Sequence, residues 1–380
     1  MERILKPEPM STVPYHPDSN ARLDTVERCV DPIVRVHDLA CIELEGPEFD
    51  KAKAFFGAFG LQLAEELSDE LHFSAEAGAP VAVVYRRASS ARFVGPSFAV
   101  REYSDLERLA GRLADVDVVA LDLPGAPSGV SLRDPNGLEV KVAYFEDWRE
   151  LPDCSDTSSV NRGSNRQRVN LTRRQPRLPS RVLRLGHMVL GTPAWESSAR
   201  FYIDTLGLIP SDVQALPDGR PSVAFLRCDR GEDPADHHTF VVARLPLLDL
   251  EHAAFETPDL DDVGMGGRIL SERGFKRAWG IGRHILGSQI FDYWYGPDGY
   301  KFEHFTDGDL FDSHQPTGYH GMSAVGLSQW GPQLPAAFLR PRLSVREVLR
   351  LVKAIFGRTP FGFLELRLIK NSLGSSSLPD

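Results

Sequence analysis

Three residues in the second half of the chain have the types and settings of a metal site. They are His187 in Gly186-His187-Met188-Val189-Leu190, His252 in Leu250-Glu251-His252-Ala253-Ala254, and Glu303 in Gly299-Tyr300-Lys301-Phe302-Glu303. Each sits in an apolar run with the look of a strand. Two neutral imidazoles and one carboxylate suit a first-row divalent metal such as Fe(II). They leave the ion one net positive charge and open positions for a substrate and a second reactant. A lone histidine in a strand is usually structural, so the weight rests on all three converging.

Convergence requires strands that bring residues far apart in sequence to one point. The pattern supplies them twice. Residues 35–146 read as strand, helix (Glu48–Phe59, closed by Gly60), short strands, then a second strand, helix (Ser104–Leu113) and a hairpin through Asp134-Pro135-Asn136-Gly137. Residues 181–309 repeat the plan, with helices at Trp195–Leu206 and Asp259–Arg273 and a hairpin through Gly296-Pro297-Asp298-Gly299. Pro297-Asp298-Gly299-Tyr300-Lys301-Phe302-Glu303 lies over Pro135-Asn136-Gly137-Leu138-Glu139-Val140-Lys141, so one unit has been duplicated. The fold class expected is α+β: tandem βαβββ modules in two pairs, each pair a curved mixed sheet. Where the second pair has His187, His252 and Glu303, the first has Ala40 or Cys41, a position near Gly95, and Lys141. A cation cannot replace a carboxylate ligand, which assigns the chemistry to the second pair. Strand alternation puts Lys301 and Phe305 on the face of Glu303, and Phe302 and His304 on the helix side.

The flanking segments carry less information. Residues 1–34 read as an extension that wraps or frays. Residues 147–180 form a linker whose part Asn161–Arg181 holds seven arginines and no acid. It reads as a solvated segment or an arm on an acidic neighbouring surface. Residues 310–380 form a tail with an amphipathic helix at Ser344–Phe356, followed by an apolar segment at Phe361–Ile369.

Net charge is −10, with 42% hydrophobic and 25% charged residues, the balance of a soluble globular protein. An acidic total argues against nucleic acid or an anionic membrane as the main partner. No long apolar run is present, and residues 1–20 lack the apolar core of a signal peptide. The four cysteines show no paired spacing. A cytoplasmic protein is the expectation.

The stretch 181–309 resembles the catalytic domain of type I extradiol ring-cleavage dioxygenases, in the vicinal oxygen chelate (glyoxalase/bleomycin resistance) superfamily. His187 and His252 lie 65 residues apart, and His252 and Glu303 lie 51 apart. Those intervals match the family, as does Gly282-Arg283-His284-Ile285-Leu286-Gly287-Ser288-Gln289-Ile290-Phe291-Asp292-Tyr293-Trp294 ahead of the glutamate. Residues 35–146 resemble the degenerate partner unit.

The resemblance implies Fe(II), or Mn(II) on the same ligands, held by His187, His252 and Glu303. It implies a catecholic substrate and O2, with meta cleavage in aromatic compound degradation, and a homo-oligomer. His238 would be the acid–base histidine, with His237 as the alternative. His284 would hydrogen-bond the substrate or oxygen side, and Tyr293 would bond the catecholate oxygen. Two rival readings are a metal-dependent glyoxalase-like isomerase and a non-catalytic binding protein on the same fold. The isomerase would draw a fourth ligand from the paired half, where Lys141 and Gly95 offer none. The binding protein predicts a decayed triad, and the triad is intact.

Overall fold

The computed structural model describes residues 24–154, 160–161, 163–164, 166, 168–323, 327–338 and 361–374. The helix expected at Ser344–Phe356 and most of the N-terminal extension lie outside them.

The first unit runs β1 (Asp38–Gly46), α1 (Phe49–Phe59), β2 (Gln62–Glu66), β3 (Glu70–Ser74), β4 (Val83–Arg87), β5 (Arg92–Val100), α2 (Tyr103–Arg112), β6 (Gly129–Arg133) and β7 (Glu139–Tyr144). The second runs β8 (Arg184–Thr192), α3 (Trp195–Asp204), β9 (Ile209–Ala215), β10 (Pro221–Arg227), β11 (Ala235–Asp236), β12 (Phe240–Arg244), β13 (Asp249–Glu256), α4 (Leu260–Glu272), β14 (Arg277–Arg283), β15 (Ile290–Tyr295), a 3-10 turn at Pro297–Gly299 and β16 (Lys301–Thr306). Strands β17 (Leu310–Phe311) and β18 (Gly318–Gly321) and helix α5 (Phe363–Gly374) follow.

The duplication is visible in the topology. A seven-stranded sheet has the order β2-β3-β4-β1-β5-β7-β6. A nine-stranded sheet runs β14-β15-β16-β13-β8-β12-β10-β9-β18, the same plan with β14 and β18 added at its two edges. Strands β2, β9, β14 and β18 carry little sequence signal. All of β2 is exposed, β9 contains Pro210, and β18 lies in a Gly- and Pro-rich stretch that reads as merely extended. It pairs in parallel with β9, so part of the stretch read as tail completes the sheet.

Burying one face of each sheet builds a shared core. Helix α1 presents Phe55, Phe56 and Phe59, and Gly60 ends it at φ 113°, its N–H bonded to the Phe56 carbonyl. The three rings pack on Phe302 of β16, and Phe59 also meets Phe255 of β13. The first helix therefore covers the back of the strands that carry the metal-site candidates. Burying such a ring contributes about 1.5–3 kcal/mol.

The described part of the N-terminal extension wraps the second unit. The N–H groups of Ile33, Val34 and Val36 bond the carbonyls of Asp204, Thr205 and Leu206. The arginine-rich linker lies on acids: Arg173 pairs with Asp259 and Asp261 at the start of α4, Arg177 with Glu272, and Arg181 with Glu76. These pairs favour the reading as an arm on an acidic surface. Among the described residues, no helix is long and apolar enough to cross a membrane.

Candidate metal centre

Strands β8, β13 and β16 are neighbours, which is what lets their side chains meet. The register sets Ala254 opposite both His187 and Glu303, so those two flank β13 on the same level. His252 enters two residues earlier on β13. One nitrogen of each histidine and one oxygen of Glu303 all lie within 4.8 Å of one another, with all three residues buried. Nε2 of His187 is 3.4 Å, and Nε2 of His252 3.3 Å, from Oε2 of Glu303.

Glu303 decides whether a metal fits. It is fully buried, yet neither carboxylate oxygen accepts a hydrogen bond. Burial pushes its pKa up, but the two facing imidazoles hold it well below the usual carboxylate range, so it stays ionised. A buried anion without hydrogen bonds costs several kcal/mol unless a cation compensates it. The donor set of two imidazole nitrogens and one carboxylate fits a divalent first-row ion at that point.

The support of His252 was not foreseen. Alternation along a strand sends neighbours to opposite faces, so Glu251 should point away. A bulge between Leu250 and His252 cancels that. Glu251 Oε2 bonds His252 Nδ1, and Glu251 Oε1 bonds Lys301 Nζ, which also donates to the Phe338 carbonyl at 2.8 Å. A carboxylate behind a ligating histidine fixes its tautomer and turns Nε2 to the metal. Without a metal, burial works against a charged His252, but Glu251 and Glu303 outweigh it and hold its pKa up at about 9; a metal at Nε2 would displace that proton. His187 has no such support, since its Nδ1 lacks a hydrogen-bond partner.

Strand alternation places the other faces as expected. Lys301 and Phe305 share the side of Glu303, and the Phe305 ring lies 5.2 Å from that of His187. His304 faces the helices: it stacks on Phe59 at 3.8 Å and its Nε2 bonds the Phe59 carbonyl at 2.7 Å. It is fully buried and takes no part in the site.

His238, His284 and Tyr293 also gather here. The His238 ring lies 4.2 Å from that of His187. Burial first, then the surrounding imidazoles, drives its pKa well down, so it is neutral. His237 turns the other way, toward Asp212, which favours His238 as the group facing the ligands. His284 Nδ1 donates to the Leu327 carbonyl at 2.8 Å, leaving Nε2 to accept from the Tyr293 hydroxyl at 2.9 Å. His284 Nε2 is 3.8 Å from Glu303 Oε1. Trp279, Phe291 and Phe338 pack around Tyr293 and make this flank aromatic.

The first sheet closes the corresponding point. Its register sets Ser97 opposite both Cys41 and Lys141, which resolves the choice between Ala40 and Cys41 in favour of Cys41. Lys141 donates to Glu43 Oε1 at 2.6 Å and Arg86 to Glu43 Oε2 at 2.6 Å, so a buried ion cluster fills the space.

A family model for the Glyoxalase/Bleomycin resistance protein/Dioxygenase superfamily matches residues 184–304. Metapyrocatechase 2 of Cupriavidus necator is 30% identical over 328 residues, covering 84% of this chain and 98% of that protein. The chain belongs to the extradiol dioxygenases of this superfamily. Another family member, an iron-dependent extradiol dioxygenase of Rhodococcus jostii (strain RHA1), is 27% identical over 157 residues, 39% of this chain and 50% of that protein. A Mn(II)-bound glyoxalase from Novosphingobium aromaticivorans aligns with a TM-score of 0.65 over 82% of this chain and 96% of its own, at 24% identity. That likeness speaks to the fold alone. Asp212, Glu251 and His320 are the residues that sequence reasoning missed near the site, and for Lys301 it had the face but not the bond to Glu251. Only Glu251, directly beside His252, offered a signal.

Proposed function

We propose that this extradiol dioxygenase opens a catechol-type ring beside its two hydroxyls, incorporating both atoms of O2, with Fe(II) held by His187, His252 and Glu303. The observation that carries the reading is the buried Glu303 carboxylate without hydrogen bonds, faced by two imidazoles. Bound there, Fe(II) would supply Lewis acidity toward a catechol oxygen and a route for electrons from the diol to O2. Mn(II) suits the same ligands, and the iron-dependent relative favours iron.

The chain's own groups divide the rest. Neutral His238 has a lone pair to take the proton of the second hydroxyl and to return it later. On the other flank, His284 and Tyr293 offer a hydrogen-bonded pair for the diol oxygens, and the aromatic side chains behind them exclude water. The product is a ring-opened semialdehyde or ketone. We assign this work to the second unit and a scaffolding role to the first. The proposed setting is the reducing cytoplasm, which suits a ferrous enzyme. Assembly as a homo-oligomer is tested by light scattering.

The test is anaerobic titration with Fe(II), then a panel of catechols and O2. Oxygen uptake with a yellow ring-fission product supports the reading, and tight metal binding with no uptake across the panel overturns it. Glu303→Ala loses both metal and turnover. His238→Ala keeps its metal, while kcat falls by about 10²–10⁴.

A further inference from the structure

We propose that Asp212 is a positioning residue for His238: clamped by His320 of β18, it sets, through His237, which ring nitrogen of His238 carries the hydrogen. The inference rests on reading His238 as the acid–base group.

The chain of contacts is short and unbranched. His320 Nε2 lies 2.6 Å from Asp212 Oδ1, and His237 Nε2 lies 2.6 Å from Asp212 Oδ2. His237 Nδ1 lies 2.8 Å from His238 Nδ1, and the His238 ring packs on His187. The geometry is built. β18 lies beside β9 with Gly318 opposite Asp212, and a Cβ at Gly318 would come within 2.0 Å of Asp212 Oδ1. Phe225 and Phe311 flank the His237 ring at 5.7 and 5.3 Å, and the His237 backbone N–H donates to the Asp309 carbonyl at 2.8 Å.

Hydrogen-bond polarity does the rest. Burial alone would raise the Asp212 pKa, but the two histidines pull it down to about 2, so it is a carboxylate and only accepts. Nε2 of His237 must then carry its hydrogen. We take His237 as neutral, so its Nδ1 is the lone pair. One hydrogen is needed between the two Nδ1 atoms, so His238 supplies it. That leaves His238 Nε2 bare, able to receive a proton from substrate. Because His320 occupies Oδ1, the carboxylate cannot swing away, and Oδ2 stays on His237. Remove Asp212, and the two tautomers of His237 lose the bond that separates them.

The experiment is histidine ring-¹⁵N NMR on the full chain loaded with Zn(II), a diamagnetic ion for the same donors. His238 is assigned by its absence in His238→Gln. In the wild-type chain, His238 is expected with hydrogen on Nδ1 and none on Nε2. Asp212→Ala converts it to a mixture, His320→Ala does so in part, and Asp212→Glu restores the single form. In the iron enzyme, Asp212→Ala lowers kcat about 10- to 100-fold, with KM and metal content held. Hydrogen on Nε2 in the wild-type chain overturns the proposal, whether or not the variants fold. So does an unchanged tautomer in folded Asp212→Ala. The spectra need neither diol nor O2, so the expected tautomers without ring cleavage would overturn the dioxygenase reading alone.

Discussion

Glu251→Gln separates two jobs that one carboxylate performs. Its Oε2 orients His252, and its Oε1 neutralises Lys301, whose side chain is only 10% exposed. Losing the charge behind a metal-bound histidine costs about 10- to 100-fold in metal affinity, or about 1.4–2.7 kcal/mol. Losing the partner of a buried lysine costs about 3–5 kcal/mol of stability. Here the figure falls to about 2–3 kcal/mol, because Lys301 keeps the Phe338 carbonyl and ring, and Glu251 is 18% exposed. Glu251→Gln alone should therefore both weaken metal binding and lower the melting temperature. Adding Lys301→Met removes the stranded cation and should return most of the stability, leaving the affinity loss in place. The assays are anaerobic competition with a chromogenic chelator and calorimetry of the metal-free chain. A double variant with wild-type metal affinity would refute the role given to Glu251.

Two further outcomes follow from the same principles. Lys141→Met strands part of the Glu43 charge, still paired with Arg86, and should cost about 3 kcal/mol in chemical denaturation while leaving metal affinity unchanged; a changed affinity would bring the first unit into the site. Asp212 titrates at about 2 in the folded chain against an ordinary 3.8, so it adds stability above about pH 4 that is lost as pH falls through about 2. The stability gap between wild type and Asp212→Asn in urea should therefore shrink by about 2 kcal/mol from pH 5 to pH 2, and a constant gap would contradict the Asp212 clamp.

The candidate metal donors were legible because strand alternation and a repeated plan are properties of the chain itself. Residues of types that bind iron stood in apolar runs, and alternation set Lys301 and Phe305 with Glu303 and sent His304 to the helices. The duplication argued against the first unit, since Lys141 stands where the candidate carboxylate would be. The weak strands were not legible, because β2, β9, β14 and β18 are held by pairing with their neighbours rather than by an alternating pattern of their own. With β9 and β18 unseen, Asp212 and His320 had no place near His237.

Sequence alone named the side chains proposed to bind a metal and the half of the chain that carries them. Tertiary structure decided what stands behind them. A bulge, not alternation, turns Glu251 toward His252. Register, not spacing, aligns Cys41 with His187 and Lys141 with Glu303. A parallel edge strand brings His320 across more than a hundred residues to Asp212. A one-residue bulge and a long-range pairing each follow from the free energy of the whole sheet, and no local stretch of sequence encodes that sum.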